Sequence, residues 1–174
     1  TVAQEPAFPL LAATATRSAD RRTLHLVAIN RSLERTLAVQ SAVNLLGSGA
    51  TLSISSITAA DETIGSMAGV AGTTLALGAK SLTSGGDGTS TVFAGSITGS
   101  TGGSMIKTGG GMLTLSGSNS YTGPTIIKQG TLRITGTSAL GTAPGTATAN
   151  HLVIEAGATF NTGVTVTLNT NRGM

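Results

Sequence analysis

Apolar and polar side chains alternate in short runs along most of this chain. The clearest stretch is 105–136, which reads MIKTGGGMLTLSGSNSYTGPTIIKQGTLRITG. Successive side chains of a strand point to opposite faces, so this alternation predicts strands with one buried face. The apolar positions that alternate with Thr, Ser or charged residues are Leu113, Leu115, Ile127, Leu132 and Ile134.

A glycine precedes each of six such runs, at intervals of 16 to 27 residues. Repeats of this length are typical of a solenoid, in which one coil contains short strands of about five residues joined by turns. Glycine is predicted at the corners because it adopts positive φ angles without steric cost. Asn119, Asn161 and Asn169 are predicted to serve the same role, since asparagine tolerates the left-handed region. The six glycines are Gly49, Gly72, Gly88, Gly111, Gly130 and Gly157.

The first 40 residues differ from the rest because they contain no glycine. Within them Thr23–Asn30 is apolar on both faces and Thr36–Val43 alternates, which predicts a hairpin, with an earlier strand near Leu11–Thr16. The sequence therefore predicts two parts. Residues 1–45 form an N-terminal β-strand segment that caps the solenoid or links it to a neighbour, and residues 46–174 form about six coils of a parallel β-helix. The predicted fold class is all-β, a right-handed parallel β-helix with a short N-terminal hairpin.

Composition agrees with stacked strands. Hydrophobic residues make up 39% of the 174 residues and charged residues only 10%, which excludes a highly charged disordered chain. There is no cysteine, so disulfides and thiolate metal sites are excluded. No apolar run reaches the length of about 18 residues that a membrane-spanning helix needs. A start at Thr1 without a signal peptide is what we expect of a processed or excised piece.

The net charge of +3 does not indicate a nucleic-acid surface. Five of the ten basic residues lie between Arg17 and Arg35, and only 2% of the chain is aromatic. Nucleic-acid binding usually needs a dense basic stripe, often with aromatic side chains on which bases stack. We therefore predict no nucleic-acid partner.

The carboxylates suggest no catalytic pair. Asp61 and Glu62 are adjacent, and on a strand they would face opposite sides, so they cannot act together as acid and base. Asp87 lies in the sequence GGDG, which predicts a turn. A calcium-binding repeat would need Asp at recurrent spacing, and Asp87 has no such counterparts. Glu155 stands alone.

Histidines, glycines and the single tyrosine are also best explained structurally. His25 and His151 are far apart and lack the spacing of a zinc site or a catalytic triad, so we expect packed or surface histidines. The run Thr108–Met112 lacks the GKS or GKT ending of a phosphate loop. Tyr121 is the single tyrosine, and one ring makes a thin site for a sugar, so we predict a structural role for it.

One cationic arrangement remains open. Lys107, Lys128 and Arg133 could align on successive coils, as in a polysaccharide-binding groove, but acidic partners are nearly missing. We predict no catalytic, cofactor-binding or metal-binding residues and no cofactor.

The stretch 105–136 resembles the autotransporter-associated β-strand repeat of bacterial surface proteins, also called the passenger-associated transport repeat. The family pattern is roughly K-x-G-x-G-x-L-x-L-x-G-x-N-x-Y-x-G-x-T-x-x-x-x-G-x-L. The matching residues are Lys107, Gly109, Gly111, Leu113, Leu115, Gly117, Asn119, Tyr121, Gly123, Thr125, Gly130 and Leu132.

This resemblance implies a non-enzymatic structural protein, outside the cell or displayed on its outer surface. It would be a β-helical passenger, stalk or fibre subunit that self-associates end to end and supports adhesion to a host surface or glycan. Any membrane attachment would come from a translocator domain that this sequence does not contain. A weaker resemblance links the N-terminal 40 residues to the C-terminal β-sandwich of arabinofuranosidase-type glycoside hydrolases. The alternative function is therefore a carbohydrate-binding or polysaccharide-acting β-helix module attached to a glycoside hydrolase.

Overall fold

The computed structural model describes residues 11–17, 24–30, 43–45, 49–54, 61–100 and 102–174. Within these residues the chain forms β-strands and one short 3-10 helix, Thr137–Leu140. The strands are arranged in one antiparallel pair and three parallel sheets of three, five and six strands. The predicted all-β solenoid is confirmed, and its right-handed winding stays a prediction.

The three parallel sheets form the sides of the solenoid, and neighbouring strands in each sheet come from successive coils. The six-stranded sheet consists of β3 (Val43–Leu45), β6 (Met67–Gly69), β9 (Thr91–Phe93), β12 (Met112–Leu115), β14 (Thr131–Ile134) and β16 (Thr159–Thr162). The five-stranded sheet consists of β5 (Asp61–Ile64), β8 (Ser81–Ser84), β11 (Ser104–Lys107), β13 (Thr125–Ile127) and β15 (Leu152–Ile154). The three-stranded sheet consists of β4 (Thr51–Ser53), β7 (Thr74–Gly78) and β10 (Ser96–Gly99).

The N-terminal hairpin is formed by β1 (Leu11–Arg17) and β2 (Leu24–Asn30), which pair antiparallel. Both strands are predicted by the sequence, but with a different pairing. The predicted hairpin joins Thr23–Asn30 to Thr36–Val43, whereas in the structure β2 pairs with β1. Residues 36–42 of the other predicted partner lie outside the described residues, and Val43 belongs to β3, which pairs in parallel with β6. The proposed division between residues 45 and 46 stays a prediction.

The core consists of apolar columns that run along the solenoid. In the three-stranded sheet Leu52, Leu75 and Ile97 are in register, and all three are buried. In the six-stranded sheet Leu113 is aligned with Leu132, and both are at most 3% exposed. These columns form because parallel strands in register place like residues above one another. Alternation in the sequence therefore becomes a continuous apolar interior.

Glycine marks the corners, as expected. Five of the six predicted corner glycines have positive φ, with values from 68° at Gly130 to 83° at Gly72. The exception, Gly111, is required for another reason: a Cβ there would collide with the carbonyl oxygen of Thr89 in the preceding coil. Among the described residues Asn150 is the only non-glycine with positive φ. The prediction for Asn119, Asn161 and Asn169 is therefore wrong.

The uneven glycine spacing also has a structural reason. Gly72 precedes a strand of the three-stranded sheet, whereas Gly88 precedes a strand of the six-stranded sheet. The interval between them is therefore less than one full coil. In the part of the chain that the structure describes, no helix is long and apolar enough to cross a membrane.

Candidate functional site

The sequence offered no catalytic site, so the functional question is where polar side chains enter the solenoid. Besides several small buried hydroxyls, larger polar side chains do so at two places in the described part of the chain. One is a turn around Lys107. The other is a group of side chains near the last coil, which we call the C-terminal polar cluster: Asn119, Tyr121, Thr125, His151 and Arg172. All of these residues are at most 8% exposed.

Lys107 ends β11 and faces the interior, where only 1% of its surface is exposed. Its ammonium donates hydrogen bonds to the carbonyl oxygens of Thr108, Gly109 at 2.8 Å and Gln129 at 3.3 Å. Burial lowers the pKa of Lys107, and the negative charge of Asp87 partly offsets this shift. Because all three donors of the ammonium have acceptors, it connects the turn after β11 to the turn of the next coil.

The cationic groove that the sequence left open does not form. Lys107 points inward from the five-stranded sheet, and its partner in register is Ile127 rather than Lys128. Lys128 is exposed just after β13, and Arg133 lies half-buried in the six-stranded sheet. The three cations therefore do not line one surface. The run Thr108–Met112 leads into strand β12 and not into a helix, so it is no phosphate loop.

The carboxylates do not converge either. Asp61 is exposed, whereas Glu62 is in register with Leu82, whose side chain is buried. Burial raises the pKa of Glu62, an effect that Lys80 partly offsets and Asp61 strengthens. In the described part of the structure Oε1 of Glu62 is buried without a hydrogen-bond partner. The two neighbours thus differ in environment, and they form no acid–base pair.

Asp87 has the turn role that its sequence predicts. Its Oδ1 accepts a hydrogen bond of 2.9 Å from the backbone N–H of Thr89. This bond lowers the pKa of Asp87, because it stabilises the ionised carboxylate. Among the described residues, no three His, Asp or Glu side chains are placed to hold a metal ion. His25 lies in β2, where the side chains are outside the described part of the structure.

Asn119 replaces a strand. Beyond Ile97 the three-stranded sheet has no further strand, and here the Asn119 side chain connects neighbouring coils. Its Oδ1 accepts a 2.7 Å hydrogen bond from the backbone N–H of Ile97, and its Nδ2 donates to the carbonyl of Ala139. One amide side chain therefore satisfies backbone groups of the coils before and after it.

Tyr121 is completely buried, and its hydroxyl shares a 2.7 Å hydrogen bond with the hydroxyl of Thr125. Burial raises the pKa of Tyr121 to about 12, although Thr125 and the positive charge of Arg172 act in the opposite direction. The phenol therefore stays protonated at neutral pH. The predicted structural role of this tyrosine agrees with its position in the core.

His151 is a packed histidine with both ring nitrogens engaged. Nδ1 lies 3.2 Å from a guanidinium nitrogen of Arg172, and Nε2 lies 3.2 Å from the carbonyl oxygen of Thr122. Arginine can only donate, so Nδ1 accepts and the Nε2–H group donates. The other terminal nitrogen of Arg172 donates to the carbonyl of Gly141. His151 thus has no free nitrogen in this arrangement for a metal or a substrate.

Sequence reasoning missed the roles of Asn119 and Arg172. Asn119 was assigned to a corner because asparagine often adopts positive φ, and its contacts depend on which residues lie above and below it. Arg172 carries no local signal, since its partners are 21 and 31 residues away. The contacts of Asn119 could be predicted only with the coil lengths known, because its partners Ile97 and Ala139 are 22 and 20 residues away.

Comparison with known proteins gives one finding. Residues 105–134 match the model of the Passenger-associated-transport-repeat family. This segment contains β12 to β14 and all of β11 except its first residue, and it includes Lys107, Asn119 and Tyr121. The solenoid and this repeat together fit an autotransporter passenger-type structural domain. No curated protein and no solved structure matches the chain.

Proposed function

We propose that this protein is a non-enzymatic, extracellular or surface-displayed structural protein, a β-helical passenger, stalk or fibre subunit. The observation that carries the proposal is that the family repeat coincides with buried structural contacts. Lys107 satisfies three carbonyls, Asn119 connects coils, and Tyr121 fills the core. The residues that define the repeat thus hold successive coils together, and this is the property that an elongated display scaffold needs.

Surface display is tested by labelling intact cells that make the protein with an amine-reactive biotin reagent that does not cross membranes. Lys128 is exposed and Lys107 is 1% exposed, so the two lysines provide a matched pair. We expect Lys128 to be labelled on intact cells and Lys107 only after unfolding, as read by peptide mass spectrometry. Labelling of Lys128 that required cell lysis would contradict surface display.

End-to-end self-association is part of the same proposal, with a second copy of this chain as the partner. Among the described strands, β16 lies at the edge of the six-stranded sheet and pairs with β14 alone. The N–H group of Thr159 donates to Gly130, just before β14, and that of Gly163 donates to Ile134 in β14, so by alternation the N–H group of Thr162 points away from the sheet. Unpaired edge groups of this kind favour addition of a strand from another molecule.

The test of self-association replaces Thr162, which is exposed. In T162P the outward N–H is removed, whereas T162V keeps it, and proline is tolerated on an edge strand. Sedimentation velocity over a range of concentrations should show assembly of the wild type and T162V and a monomer for T162P. A monomeric wild type at all concentrations would contradict end-to-end assembly and leave the labelling result unaffected.

A separate measurement distinguishes adhesion to a surface or glycan from the alternative function, a carbohydrate-related module. The N-terminal resemblance on which the alternative rests stays a prediction. Binding to and cleavage of immobilised plant polysaccharide would favour the module, and absence of both with binding to intact host cells would favour an adhesive stalk.

A further inference from the structure

A cleft opens beside the C-terminal polar cluster. It has a volume of about 360 Å³ and lies between the 3-10 helix with its following turn and the segment 167–172. Its lining includes Arg172 together with Thr137, Thr167 and Asn169. Small-molecule sites usually have volumes from about 300 Å³ upward, so this cleft is at the small end of the range.

Arg172 is a buried cation without a counter-charge. Only 7% of its surface is exposed, and its two terminal nitrogens donate to His151 and to the carbonyl of Gly141, both uncharged acceptors. None of the described Asp or Glu side chains forms an ion pair with it, and burial lowers its pKa. A guanidinium has five N–H donors, so these two contacts leave donors for a ligand. Burial of an uncompensated charge is costly, and an anion in the cleft would reduce that cost.

Other polar groups of the cleft also keep donors available. The hydroxyls of Thr137 and Thr167 make no hydrogen bond to the part of the protein that the structure describes. In Asn169 the oxygen Oδ1 accepts a 2.8 Å bond from the N–H of Asn171, which leaves the amide nitrogen as a donor. The cleft therefore offers one positive charge and several neutral donors, and its described lining contains no carboxylate.

We propose that this cleft binds a small oxyanion, with the Arg172 guanidinium facing the anionic group and the Thr137, Thr167 and Asn169 side chains bonding its remaining oxygens. A planar guanidinium matches the geometry of carboxylate and phosphate oxygens. The shared chemistry of the ligand is thus a carboxylate or phosphate on a molecule no larger than a monosaccharide. The site is independent of the structural function proposed above, because it does not involve the strand edges.

The experiment titrates the protein with inorganic phosphate and with glucuronate, while amide NMR signals are followed at constant ionic strength. Glucose and sodium chloride serve as neutral and non-oxyanion controls. We expect saturable shifts around Gly141 and Asn169 with a dissociation constant on the order of 1 mM. Binding of either anion at these signals supports the proposal, and the stronger of the two identifies the carrier of the anionic group. Equal shifts with glucose or chloride would overturn it.

Variants then localise the binding. R172Q should weaken binding at least about tenfold, the effect of roughly 1.4 kcal/mol. Since R172Q also removes contacts to His151 and Gly141, T167V provides a second variant, which removes only a cleft hydroxyl and should weaken binding a few-fold. The control K128Q removes an exposed cation outside the cleft and should leave binding unchanged. Loss of binding in K128Q, or unchanged binding in a folded T167V and a folded R172Q, would show an adventitious anion and overturn the proposal.

Discussion

The coils before Lys107 and the coils after it are held together by different contacts. In residues 61–107 each coil has a strand on all three sides, and apart from Lys107 the buried polar side chains are small hydroxyls. In residues 112–174 the three-stranded sheet has no further strand, and the larger buried side chains Asn119, His151 and Arg172 add connections beside the backbone hydrogen bonds. Backbone ladders form with almost any sequence, whereas side-chain contacts need particular residues. The second region should therefore be the more sensitive to single substitutions.

The largest effect is expected at the corner between these two regions. Gly109 has φ of 67°, and a Cβ there would collide with the carbonyl oxygen of Gly85, whereas a Cβ at Gly110 would meet open space. We expect G109A to lose more than about 4 kcal/mol or to fail to fold, while G110A stays within about 1 kcal/mol of the wild type. Urea unfolding followed by circular dichroism measures both. Similar losses in the two variants would contradict a corner that depends on close approach.

The next effect tests the polar connections of the second region. N119A leaves the N–H of Ile97 and the carbonyl of Ala139 without their partner. Each buried group left unpaired costs about 1–3 kcal/mol, so we expect a loss of about 4 kcal/mol in the free energy of unfolding. The neighbouring Ser118 is exposed, and S118A should change stability by less than about 0.5 kcal/mol. If N119A were as stable as S118A, the amide would not replace the missing strand.

Because Tyr121 is buried, we expect the free energy of unfolding to fall at alkaline pH. Burial raises its pKa to about 12 in the folded protein, against the ordinary tyrosine value of 10.0. Above pH 10 the phenol is deprotonated in the unfolded chain but still protonated in the folded protein, which favours unfolding. The free energy of unfolding is therefore unaffected by this group below pH 10 and falls between pH 10 and about pH 12. Two pH units correspond to roughly 3 kcal/mol. Tyr121 is the single tyrosine, so tyrosinate absorbance reports its titration directly.

The matched variant is Y121F, which keeps the ring and loses the titrating group. Its stability should lack the alkaline decrease seen between pH 10 and 12, because other groups titrate equally in both proteins. Tyrosinate that forms in the folded wild type near pH 10 would contradict burial of the hydroxyl.

The smallest effect concerns the first region. The hydroxyls of Ser104 and Ser81 lie on successive strands and share a 2.7 Å hydrogen bond. S104A should cost about 1 kcal/mol, and the double variant S81A/S104A should recover part of that loss, since both partners are then absent. A double-mutant cycle from urea unfolding measures the coupling. A loss in S104A as large as that in N119A would remove the contrast between the two regions.

The sequence predicted the solenoid because its signals are local. Alternation at Leu113 and Leu115 indicates a strand, and glycine at Gly130 indicates a corner, whatever lies above or below them. The contacts of Asn119 and Arg172 could not be predicted in this way. They depend on which residue of the next coil lies opposite, and the coils differ in length.

That difference in length is visible in the six-stranded sheet. Met112 is aligned with Thr131, whereas Thr131 is aligned with Thr159, so the later coil contains more residues although its strands stay in register. The additional residues lie in the exposed connection 144–150. The hydrogen bonds between parallel strands thus fix the distance between successive coils but not the number of residues in each coil. Foreign peptides could accordingly be inserted at the exposed residues 145–147, ahead of the bridge between Thr148 and Arg172, and carried at a defined height along the solenoid.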